Sequence, residues 1–198
     1  FNKPLCNALN NCSSLTHLIF GDSFNCPLDD ELINCTAITH IGFGSHFSQP
    51  LTSLFANCTS LTHLSLGYCF DQRDGISPSV RFLSINCNNN YYVENLPDSI
   101  EELKLKCDFN LELNNLPSSI KKITFDKDSE YNRELNCLPN GLLILELPFY
   151  YDKQIHNIPS RLKKLVCPEN YSFIGDFSNI EIEIYSINQL HLIFSIYD

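Results

Sequence analysis

The sequence predicts a parallel-stranded solenoid of about nine coils, with one short strand in each coil. Two observations carry this reading. A hexamer with apolar residues at its first, fourth and sixth positions recurs along the chain: "LTHLIF" from Leu15, "ITHIGF" from Ile38, "LTHLSL" from Leu61, "VRFLSI" from Val80, "IEELKL" from Ile100, "IKKITF" from Ile120, "LLILEL" from Leu142, "LKKLVC" from Leu162 and a weaker "IEIEIY" from Ile180. An aromatic residue keeps step with it, opening coils near Phe1, Phe24, Phe47, Phe70, Tyr91, Phe109, Tyr131, Tyr151 and Tyr171. A unit this short cannot bury its own apolar face, so each coil must pack against its neighbours.

Each element follows from the same alternation. Side chains on a strand point to opposite faces in turn, so the fourth and sixth hexamer residues share the inner face. The first sits at the bend where the chain enters the strand, which is the leucine-rich-repeat spacing L-x-x-L-x-L. Helix is a poor reading here, because the apolar stretches are short and bracketed by Pro and Asn. The third position faces outward, and down the stack it reads His17, His40, His63, Phe82, Glu102, Lys122, Ile144, Lys164. The return segments "PLCNALNNC", "PLDDELINC" and "PLTSLFANC" are each expected to hold a short helical turn. From Asn95 onward, "NLPDSI", "NLPSSI", "CLPNGL" and "NIPSRL" predict tighter, extended returns through a proline turn.

The segments "FNKPL", "FNCPL", "NLPSSIKKITF" and "NIPSRLKKL" resemble FNIP repeats, a leucine-rich-repeat-like family abundant in social amoebae and in giant viruses that infect amoebae. The resemblance covers roughly residues 1–170. It lapses at "FDQRDGI" (70–76), read as a junction, and at "YSFIGD" (171–176), read as the start of a C-terminal cap over 171–198. The whole of 1–198 is therefore expected to be a single repeat domain. The lack of Met and a start inside a repeat suggest a piece of a longer protein.

Composition narrows the function classes. The formal charge of −10 disfavours nucleic acid, whose phosphates need a basic face. No run approaches the ~20 apolar residues of a membrane-spanning helix, and no secretory signal is visible. Neither a membrane nor a nucleic-acid partner is expected, and the expected place is a cytoplasm (the host's, or a virion if the protein is viral). Charge is uneven: Lys3 is the only Lys or Arg before Asp71.

The ten cysteines do not read as a disulfide framework. Cys12, Cys35 and Cys58 each lie three residues before a hexamer, and Cys87 and Cys107 lie two residues after one. Stacked side chains in a column point the same way, which makes the bridging torsion hard to reach. Buried, reduced thiols are expected. The accompanying "NC[ST]" sequons at Asn11, Asn34 and Asn57 read as turns in which Asn bonds the backbone.

No chemistry-bearing constellation emerges. There is no C-x-x-C pair, Gly-rich phosphate loop or nucleophile elbow, and inward Cys and outward His cannot form a dyad. The chain is expected to be no enzyme and to carry no cofactor. His17, His40 and His63 could form a metal or proton-sensing ladder, but a solvated polar column beside Thr16, Thr39 and Thr62 is the better reading. Glu101 and Glu102 face Lys121 and Lys122 in the next coil, as cross-strand charge pairs do.

The expected function is protein binding through the outward column. Candidate contact residues are His17, His40, His63, Phe82, Glu102, Lys122, Leu143, Ile144 and Lys164. Leu143 and Ile144 stand out because neighbouring coils carry lysines there; a partner, a folded-back "LHLIFSIYD" (190–198) or a shifted register would each cover them. The family resemblance implies the substrate-selecting part of an F-box-type ubiquitin-ligase adaptor, with a repeat protein packed in a larger assembly such as a viral particle as the alternative.

Overall fold

The computed structural model describes residues 1–28, 31–73, 75–86, 93–106 and 108–186. Among these, nine strands lie in one parallel sheet in sequential order: β1 His17–Ile19, β2 His40–Gly42, β3 His63–Leu66, β4 Phe82–Ile85, β5 Glu102–Leu105, β6 Lys122–Phe125, β7 Ile144–Glu146, β8 Lys164–Pro168 and β9 Glu181–Tyr185. The repeat stacks as its period requires. His17, His40, His63, Phe82, Glu102, Lys122, Ile144 and Lys164 are successive register partners, matching the outward column read from the hexamers.

The ninth strand departs from that register by one residue. Lys164 pairs with Glu181 and Leu165 with Ile182, so the hexamer aligned from Ile180 is slipped. The slip keeps Glu183 out of the core, and the alternation then breaks at the strand end, where Ile184 is exposed and Tyr185 is buried. In the observed register Glu183 faces out, 2.6 Å from the Lys164 ammonium. The chain thus continues through 171–186 as another coil, with a 3-10 turn at Ile174–Asp176. The residues of "LHLIFSIYD" lie outside the described residues, as do Tyr91, Cys87 and Cys107.

Two apolar columns fill the interior. Ile41, Leu64, Leu83, Leu103, Ile123, Leu145 and Leu165 are buried at the fourth hexamer position, and Phe20, Phe43, Leu66, Ile85, Leu105, Phe125, Leu147 and Cys167 at the sixth. Opposite them stands the aromatic column. Phe24, Phe47, Phe70, Phe109, Tyr131, Tyr151 and Tyr171 are all at most 3% exposed, and Phe24, Phe47 and Phe70 stack at 6.1 Å. Phe1 stacks on Phe24 at 6.3 Å but is 76% exposed, because no described coil covers its other side.

The polar landmarks have backbone duties. The Asn after the aromatic accepts an N–H from the following coil: Asn25 N–H donates to Asn2 Oδ1 at 2.9 Å, Ser48 N–H to Asn25 Oδ1 at 2.9 Å, and Asp152 N–H to Asn132 Oδ1 at 3.2 Å. These side chains satisfy groups that an irregular return would otherwise leave unpaired. Asn34 does the reverse, donating to the Asn10 carbonyl at 3.0 Å.

The Cys column and the proline turns prove to be one position. The first hexamer residue donates its N–H to the carbonyl three residues back, which belongs to Cys12, Cys35, Cys58, Ser77, Pro97, Pro117, Pro139 or Pro159. Cys35 and Cys58 are buried free thiols, whereas Cys12, in the first coil, is only half-buried. Burial pushes the Cys58 thiol up to about 11, so it stays protonated and unreactive. Among the described residues of the three early returns, a helix forms in the third, α1 Thr52–Asn57, and the first is a series of turns. In that first return Cys6 and Asn7 have φ of 51° and 65°, outside the helical region.

Close stacking also dictates glycine after the strands. A Cβ at Gly67 would lie 2.1 Å from the Gly44 carbonyl oxygen, and one at Gly44 2.5 Å from the Asp22 backbone.

Two substitutions test this packing by chemical denaturation. Phe47→Ala removes a fully buried ring between two stacked neighbours and should cost about 3–5 kcal/mol. Gly67→Ala forces two coils apart and should cost about 1–3 kcal/mol, although it deletes nothing.

Candidate functional site

One face of the sheet holds the core, and the other is left open. The candidate site is that open face, whose two outward columns come from the third and fifth hexamer positions.

On the third-position column, His17, His40, His63 and Phe82 form one continuous stack. Ring centroids are 4.0, 3.8 and 4.0 Å apart, with planes within 14° of parallel. Each imidazole is held by the threonine before it: Nδ1 lies 3.0 Å from Thr16 Oγ1, 2.8 Å from Thr39 Oγ1 and 2.9 Å from Thr62 Oγ1. The Thr39 and Thr62 hydroxyls donate to the carbonyls of Thr16 and Thr39, at 3.2 and 3.3 Å. Each of these hydroxyls thus bridges its imidazole and a carbonyl of the preceding coil, which fixes the ring orientation. Nε2 is left on the rim of the stack.

This arrangement is unsuited to chelation. Ring lone pairs lie in the ring plane, and planes stacked near 4 Å send them in parallel rather than toward one metal. It does suppress protonation. Burial, and then the neighbouring imidazole charges, lower the His40 and His63 pKa below the usual 6.5.

The fifth-position column was not singled out from the sequence. It reads Ile19, Gly42, Ser65, Ser84, Lys104, Thr124 and Glu146 in register. Small residues at Gly42, Ser65 and Ser84 beside large rings at His40, His63 and Phe82 create a groove of about 340 Å³. Ile19, 72% exposed, closes one end, leaning over Gly42 where any Cβ would meet it at 2.9 Å. The signal for this floor was present as the run of small residues at the fifth position, visible only once the two columns are set side by side.

Beyond Phe82 the face becomes charged. Lys104 pairs with Asp126 at 2.8 Å, Lys122 with Glu146 at 2.8 Å, and Lys164 with Glu183 at 2.6 Å. Glu101 takes Lys121 at 2.6 Å, as the sequence suggested, but Lys122 bypasses the facing Glu102 for Glu146. Ile144 sits in this charged stretch between Lys122 and Lys164, its register partners, and Leu143 immediately precedes it. Both are half-buried rather than core, and the register runs through them unshifted. The structure therefore groups the candidate residues into two zones, an aromatic ladder over β1–β4 and a paired-charge field over β5–β9.

Sequential parallel strands, one per coil, with L-x-x-L-x-L side chains inside, define a leucine-rich-repeat-like solenoid. Residues 88–128, which contain β5 and β6, match the FNIP Repeat family model, and similar Phe, Asn and Pro landmarks recur in the other coils. Among solved structures it is similar to CroV588, a giant-virus protein described as a novel circular LRR protein, at 25% identity and a TM-score of 0.65. That likeness covers 87% of this chain, which spans about 30% of the length of CroV588. An internalin (inlF) from Listeria monocytogenes aligns over 93% of this chain and 73% of its own, at 16% identity and a TM-score of 0.40, too distant to argue from. No curated protein matches the chain.

The ladder makes folding sensitive to mild acid. The lowered pKa values mean that the unfolded chain binds protons first as pH falls, so stability is full above 6.5 and declines as pH drops through the folded values. The melting temperature should be flat at pH 7–8 and fall as the pH drops below about 6.5. His40→Phe combined with His63→Phe keeps the stack and should flatten that slope.

Proposed function

We propose that the chain is a non-catalytic protein-interaction module that binds its partner across the open face of the sheet. The observation that carries this is the division of labour between faces. Inward columns are spent on the core and the returns on backbone hydrogen bonds, while the outward columns form a graded surface with an aromatic groove at one end. Long, regular faces of this kind suit the capture of other proteins. Aromatic rings presented beside small residues are the chemistry of interface anchors.

Within this reading, the FNIP-repeat resemblance supports the substrate-selecting part of an F-box-type adaptor, acting in a reducing cytoplasm with its structural thiols unoxidised. The likeness to CroV588, a giant-virus protein, supports the alternative of a repeat component of a viral assembly. Recovery of the full-length protein with a ubiquitin-ligase core, or in purified particles, separates the two.

Partner capture by variants tests the shared part. Replacing His63 and Phe82 with Ala should reduce partner affinity at least tenfold while moving the melting temperature by only a few degrees. Arg133→Ala, on the return side among Asn110, Glu112 and Asn132, should leave affinity unchanged. Equal loss from both variants would remove the open face as the binding surface.

A further inference from the structure

The rim of the aromatic groove carries the ring edges of His40 and His63. Their Nδ1 atoms are engaged with Thr39 and Thr62 Oγ1 at 2.8 and 2.9 Å, so Nε2 is the ring atom left for a ligand. The next rung past Phe82 is Glu102, whose carboxylate makes no ion pair or hydrogen bond among the described residues. The cations nearest in register are already engaged: Lys122 with Glu146, and Lys104 with Asp126, each at 2.8 Å. On the floor, the Ser84 hydroxyl is buried without a partner among the described residues. The groove therefore presents one uncompensated carboxylate beside an aromatic face, on a chain whose formal charge is −10.

We propose that the groove takes a partner segment carrying a single arginine, with the guanidinium on Glu102 and its plane against Phe82. Arginine fits better than lysine, because its planar fork of donors matches a carboxylate and its weak hydration suits stacking on a ring. Hydroxyls of the flanking residues, which both donate and accept, would meet the row of Nε2 atoms. A polybasic segment is disfavoured. Lys106 approaches the floor from the other edge, 3.3 Å from Ser65 Oγ, and Lys104 stands on the same strand as Glu102. This inference rests on the open face being the interaction surface, and it adds the partner's chemistry.

The test is fluorescence anisotropy of the full chain with three labelled peptides, Gly-Ser-Ser-X-Ser-Ser-Gly, where X is arginine, citrulline or glutamate. The arginine peptide should bind at least tenfold more tightly than the other two. Glu102→Gln should abolish that preference, whereas Glu101→Gln, one residue away and bound to Lys121, should preserve it. Equal binding of arginine and citrulline peptides, no binding of any peptide, or an arginine preference that survives Glu102→Gln would each overturn the proposal. Preferred binding of the glutamate peptide, lost on His63→Ala, would overturn the arginine chemistry while leaving the open face as the interaction surface.

Discussion

Everything in this protein depends on the parallel backbone ladder between successive coils. Because each strand pairs with the next in a fixed register, equivalent residues stand one strand spacing apart for the length of the sheet. A residue type is therefore judged as a column rather than singly. Columns of Phe, Leu and Ile inside reinforce one another by shape. Columns of Asn and Thr reinforce one another by passing hydrogen bonds from coil to coil, as Thr16, Thr39 and Thr62 do.

The same ladder explains where the sequence has freedom. Inward positions tolerate only size-matched apolar residues, and Gly44 and Gly67 tolerate nothing larger, because backbone of the previous coil occupies the space. Outward positions touch only their column neighbours. They can change from imidazole to carboxylate to ammonium without disturbing the core. The ladder of three imidazoles and Phe82 is one use of that freedom, and the alternating ion pairs of the later coils are another. Those pairs are exposed and contribute little to stability individually. Their consequence for recognition is to neutralise the later face and leave Glu102, at the boundary, as a distinct charge.

Two details show local chemistry overriding the average repeat. In the ninth coil the hexamer pattern is weakest, and the register slips so that Glu183 reaches Lys164 instead of entering the core. In the returns, Cys and Pro serve the same turn by different means. Proline fixes the backbone, whereas Cys35 and Cys58 fill buried space and lean their thiols on carbonyls of the preceding coil, 3.5 Å from Leu9 O and 3.9 Å from Cys35 O.

The order, direction and outward column of the strands were legible in the sequence, because alternation and a fixed repeat leave a parallel stack as the one way to bury every hexamer. The aromatic interior was legible for the same reason. What the sequence left open was decided by contacts between columns. Only stacking revealed that Thr hydroxyls hold the Nδ1 atoms of His40 and His63, that Gly42, Ser65 and Ser84 form a floor beside those rings, and that Lys122 prefers Glu146 to the facing Glu102. Periodicity tells which face a side chain occupies. It does not tell which neighbour on that face a flexible side chain will reach, since that depends on reach and on competing partners in three dimensions.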